Sequence, residues 1–74
     1  MTMTPDEMLA EAAGLRAGAE YLETQAEAER NSAQLIYNMG DCIRAHARAD
    51  EWDKEARRDR RKAEELELRA TLAR

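Results

Sequence analysis

Cys42, His46 and Asp50 fall at a spacing of four residues, which stacks them in one helical column. Sulfur, imidazole and carboxylate on one face are the donors a transition metal takes. The column is short, however, and Asp50 is equally placed to pair with Lys54. Cys42 also suits the role of a small buried hydrophobe near a turn. No metal or other cofactor is expected. The sequence holds no Gly-rich phosphate loop, no Glu-x-x-His pair and no Cys-x-x-Cys. His46 is the single histidine, so few routes to a general base exist. The chemistry points away from an enzyme.

The one charge run is Arg57-Arg58-Asp59-Arg60-Arg61-Lys62. Five bases within six residues could contact phosphates. On a helix these six wrap the whole circumference. Acids flank them at favourable spacings: Asp53 to Arg57, Arg60 to Glu64 and Arg61 to Glu65. A solvated, ion-paired surface is the expectation, and nucleic-acid contact through Arg57, Arg58, Arg61 and Lys62 is the alternative.

These residues must be held by long helices. Ala12, Ala19, Ala26 and Ala33 recur every seven residues, alternating with Met8, Leu15, Leu22, Glu29 and Ile36. Ala49, Ala56, Ala63 and Ala70 repeat the pattern, alternating with Ala45, Trp52, Asp59, Leu66 and Ala73. A 3-4 spacing held this long predicts two helices with one packing stripe each. The residue types agree: 38% are charged, and Phe and Val are absent. Glu29 and Asp59 interrupt the seam and call for an arginine, with Arg16, Arg30 and Arg60 as candidates.

Thr4-Pro5-Asp6-Glu7 reads as a helix start with a capping box. Helix 1 is predicted over about 5–37. Asn38-Met39-Gly40-Asp41 is the break, with Gly40 as a left-handed C′ residue and Asp41 as the next cap. Helix 2 follows over about 42–72, fraying from Thr71. A short break predicts an antiparallel hairpin in one domain over 1–74. Folding about 37–41 sets Ala26 opposite Trp52, Leu22 opposite Ala56, Leu15 opposite Ala63 and Ala12 opposite Leu66. Large then meets small in most layers. The pattern resembles the packing of Rop-type RNA-regulating dimers; the likeness lies in packing alone, and no residue is carried across.

Helix 1 carries a second stripe: Ala10, Ala13, Ala17, Tyr21, Thr24, Ala28 and Leu35, with Gly14 and Gly18 beside it. A helix apolar on two sides is built to be covered on two sides. This predicts self-association, most simply a homodimeric four-helix bundle. Tyr21, Leu35, Tyr37 and Ile43, framed by Glu20 and Glu27, are the expected partner contacts. Leu68 and Leu72 could extend that surface. Up to Asn38 the charge balance is −5, and beyond it +1, within a net −4. That asymmetry favours protein partners over nucleic acid. With one cysteine, no apolar run of membrane-spanning length and no secretory signal, the expected setting is cytoplasmic, of cell or virus. The function expected is a non-enzymatic interaction module: a small regulator, inhibitor or assembly adaptor. An RNA- or DNA-binding dimer and an acidic mimic of nucleic acid are the rival readings.

Overall fold

The structure is a computed structural model and describes residues 2–35 and 37–73. Two helices, α1 (Pro5–Ala33) and α2 (Met39–Leu72), pack against each other. They form a rod of 55 × 17 × 13 Å. No described helix is long and apolar enough to cross a membrane. The chain turns back on itself between the two.

The start of α1 follows its residue types. The Thr4 Oγ1 accepts the Glu7 N–H at 3.2 Å, and the Thr4 N–H donates to Glu7 Oε1 at 3.2 Å. Pro5 occupies the first helical position, where no N–H is needed.

The break falls earlier than the sequence suggests. Helix α1 ends at Ala33, four residues short of the expected end, after Asn31 and Ser32, which are weak helix formers. Helix α2 begins at Met39 because Asn38, and not Asp41, is its cap. Asn38 is extended, and its Oδ1 accepts the Asp41 N–H at 3.1 Å. Asn caps as well as Asp does. The earlier start also places the Asp41 carboxylate in the first turn, against the positive end of the helix dipole and paired with Arg44. Gly40 is therefore helical, and no described glycine has a left-handed backbone. Its lack of a side chain leaves room for the cap: a Cβ there would lie 3.2 Å from Asn38 Oδ1. At the far end α2 runs through Leu72.

The buried core is almost all alanine. Ala12, Ala19, Ala26, Ala33, Ala45, Ala49, Ala56, Ala63 and Ala70 are 0–1% exposed, and Leu66 joins them at 7%. The expected register holds near the open end, where Ala12, Ala63 and Leu66 cluster with Met8 and Leu15. Small side chains let the two backbones come close. Larger seam residues cannot fit between them, so Met8, Leu15, Leu22 and Trp52 are only half-buried. Among the described residues no large side chain is fully buried. Trp52 is thus a seam-edge residue rather than a core filler. Cys42 is half-buried, not buried, and Ala73 is exposed as the α2 C-cap. Ile36, expected on the seam, lies outside the described residues.

Candidate interaction surfaces

The ion pairs decide which faces remain available. Arg16 pairs with Glu67 at 2.5 Å, Glu23 with Arg60, and Arg30 with Asp53 at 2.6 Å. Both members step by seven residues, one number rising as the other falls, as antiparallel helices require. Arg30 also reaches Asp50 at 2.8 Å. The geometry of two of these pairs is forked: Arg16 Nε lies 3.0 Å from Glu67 Oε2, and Arg60 Nε 3.1 Å from Glu23 Oε2. These hydrogen bonds hold the carboxyls of Glu23, Glu67 and Asp50 below their ordinary range. They raise the arginines correspondingly.

The ion pairs expected within α2 are replaced, two of them by rungs of this ladder. Asp53 serves Arg30, Arg60 serves Glu23, and Glu65 serves Arg69. The seam carboxylate Glu29 takes Arg48 at 2.5 Å, a partner that sequence reasoning missed. Asp59 is half-buried beside Gly18, its Oδ2 4.0 Å from where a Cβ would stand. Gly18 therefore faces α2 rather than the second stripe, whereas a Cβ on Gly14 would meet nothing within 4 Å.

With these pairs made, the two flanks of the hairpin differ. One flank is the ladder of 16, 23 and 30 against 67, 60 and 53. The opposite flank lies one residue earlier on each helix. It carries Met8, Leu15, Leu22 and Glu29 on α1 and Trp52, Asp59 and Leu66 on α2. Sequence reasoning placed these residues on the seam and did not separate the two flanks. The signal was the row of opposite charges at sevenfold spacing beside it.

The outer face of α1 is also distinct. Between Ala10 and Leu35, Arg16, Glu23, Glu29 and Arg30 all reach α2. Only Glu11, Glu20 and Glu27 stay on the exposed side, and helical spacing puts them at its borders. Ala10, Ala13, Gly14, Ala17, Tyr21, Thr24 and Ala28 form a charge-free strip, all exposed.

Of the residues singled out for partner contact, Tyr21 is 64% exposed, Leu35 80% and Ile43 61%, and Tyr37 is fully exposed. Leu35, Tyr37, Met39 and Ile43 gather at the tip of the hairpin. Tyr21 stands apart, about 18 Å down α1 from its last residue at 1.5 Å per residue. Leu68 and Leu72 are exposed at the opposite end.

The basic run also resolves. Asp59 and Arg60 turn inward, and Arg57, Arg58, Arg61 and Lys62 are left exposed. Helical spacing puts those four on one outward face, so the run does not distribute evenly around the helix. They make no ion pair within 4.0 Å among the described residues. In the Cys42–His46–Asp50 column, Asp50 is turned to Arg30, while Lys54 pairs with Glu51. No group of three possible metal ligands is assembled among the described residues.

Comparison with protein-family models, curated proteins and solved structures finds no match to this chain.

Proposed function

We propose that this chain is a non-enzymatic protein–protein interaction module: a self-associating helical hairpin that presents the outer face of α1 and the hairpin tip to another protein. One observation carries the reading. The charges that would solubilise α1 are spent across the hairpin, so its outward strip is uncharged while its own chain leaves it bare. A strip of small residues with one exposed tyrosine, rimmed by acids, is the form of a helix that accepts another helix. Glu20 and Glu27 on the border favour a partner with basic residues at matching positions.

The test is a double variant, Tyr21→Glu with Leu35→Glu. Both side chains are exposed, so the hairpin keeps its fold. The variant should lose a protein that the native chain captures from its source cell. Retention of every captured protein by the folded double variant defeats the proposal.

The outward band of Arg57, Arg58, Arg61 and Lys62 supports a second reading, contact with RNA or DNA. That reading expects binding that weakens steeply with salt. Absence of a gel shift at low salt with micromolar protein removes it.

A further inference from the structure

Among the described residues nothing covers the flank opposite the ion-pair ladder. Its large side chains are Met8, Leu15, Leu22, Trp52 and Leu66; the first four are half-buried, and Leu66, 7% exposed, is already in the core they would extend. We propose that a second copy of this chain docks on this flank, closing a two-fold bundle in which these five side chains become a shared core. The inference rests on the reading of the chain as a self-associating module, and it names the face.

Three observations choose the occupant and the face. The first is the core. Each buried alanine contributes one methyl group, and no large side chain in the described chain is fully buried. A chain of 74 residues gains little from such a core and needs a staple or a partner. The one partner always present at matching concentration is the chain itself.

The second is area. A long face of the rod, 55 Å by 13–17 Å, is of the size that gives about 800 Å² per partner, the standard of a stable interface.

The third is charge. Pairing two copies through the outer strip of α1 would bring Glu11, Glu20 and Glu27 against acids of the same kind. The only bases of that helix, Arg16 and Arg30, are engaged with Glu67, Asp50 and Asp53. The large-residue flank has a mixed rim. Glu11, Glu55 and Lys62 lie three residues beyond Met8, Trp52 and Asp59, and of the flank's two carboxylates, Glu29 and Asp59, the first is already paired with Arg48. A two-fold pair on this flank leaves the outer strip open for a different protein. The two surfaces then serve two partners.

Sedimentation equilibrium over about 1–100 µM, where mass action sets the population, reads the outcome. The native chain should reach twice its 8.4 kDa mass. Leu22→Glu should return it to the single mass, and Tyr21→Glu should leave it doubled. Because Leu22→Glu could also loosen the hairpin, acrylamide quenching of Trp52 in the native chain gives an independent reading. Quenching should be weak in the doubled species and rise on dilution. Four results overturn the proposal: a single mass at every concentration; an open-ended mass; loss of the doubled mass by Tyr21→Glu but not by Leu22→Glu; or equal Trp52 quenching at both ends of the range. A single mass together with partner capture through Tyr21 and Leu35 would sink this inference alone. A doubled mass with no effect of the Tyr21 and Leu35 variant on capture would sink only the outer-strip reading.

Discussion

Replacing Ala63 with leucine should damage this protein more than replacing Leu15 with alanine, the reverse of the usual core behaviour. Ala63 is 0% exposed and is packed with Ala12, Leu66, Met8 and Leu15. Leucine has nearly the helix propensity of alanine, so the substitution probes packing alone. Three added carbons have no cavity to enter. Either the side chain leaves its favoured rotamer or the helices part, and parting strains the Arg16–Glu67 rung one turn away. Overpacking of this kind costs about 1–3 kcal/mol. A chain of 74 residues has a total stability of roughly 4–11 kcal/mol at 0.05–0.15 kcal/mol per residue. Leu15 is half-buried on the flank, so trimming it opens no closed cavity. It forfeits about half of the 1.5–3 kcal/mol that full burial would bring, or about 1 kcal/mol. Urea unfolding followed by far-ultraviolet circular dichroism, at a protein concentration low enough to keep the chain at its single mass, measures both. With a slope near 1 kcal/mol/M, Ala63→Leu should lower the midpoint by about 1–3 M and Leu15→Ala by about 1 M or less. An Ala63→Leu midpoint equal to or above the native value would refute the close alanine seam.

Other consequences are equally open to measurement. Asn38→Ala removes the α2 cap and should cost about 1 kcal/mol in the same assay; no change would mean that Asp41 can cap in its place. Gly14→Ala should add about 1 kcal/mol, since helix propensity rises and a Cβ there meets nothing within 4 Å; a lowered melting temperature would contradict the open surroundings. The carboxyls of Glu23, Glu67 and Asp50 are held low in the fold by their arginines. Their stabilisation is complete above the unfolded carboxylate range near about 4 and is lost as pH falls through the lower folded values. Melting temperature should therefore drop as pH is taken from 7 towards 3, and Arg60→Gln should flatten that dependence; an unaltered profile would remove the ladder from the account. Glu23→Arg and Arg60→Glu should each destabilise, and the double exchange should recover part of the loss, because the ladder already alternates in sign; no recovery would contradict the pairing.

The repeat of alanines made the hairpin and its open-end register legible. Buried positions every three and four residues leave a period that nothing else explains. The break was less legible because Asn38 and Asp41 are both good caps and Gly40 sits between them. Local chemistry allowed either start, and the placement of the Asp41 charge inside the first turn goes with the earlier one. The ion pairs were not legible, because neighbours within α2 and residues across the seam offer the same charges equally good partners. Asp53 and Arg60 flank the seam, where a partner on α1 is nearer than one a turn along on the surface. The contrast between flanks followed from those pairs and so escaped too. Tyr21, Leu35, Tyr37 and Ile43 were legible as exposed because they fall off the seam. Which chain covers them is not written in the period, because a surface residue is constrained by its partner and not by its own helix.

A distance between labels on the two arms tests the central claim, that the chain folds back along its alanine seam. Nitroxides at Glu11→Cys and Glu64→Cys, in a Cys42→Ser background and diluted with unlabelled chain, report separation by pulsed electron resonance. Both positions are exposed. They lie near the same level of a rod 17 Å across, so one short distance, on the order of 20–30 Å with the label arms included, is expected. A continuous helix would set them about 80 Å apart at 1.5 Å per residue, and a distance of that length would contradict the account.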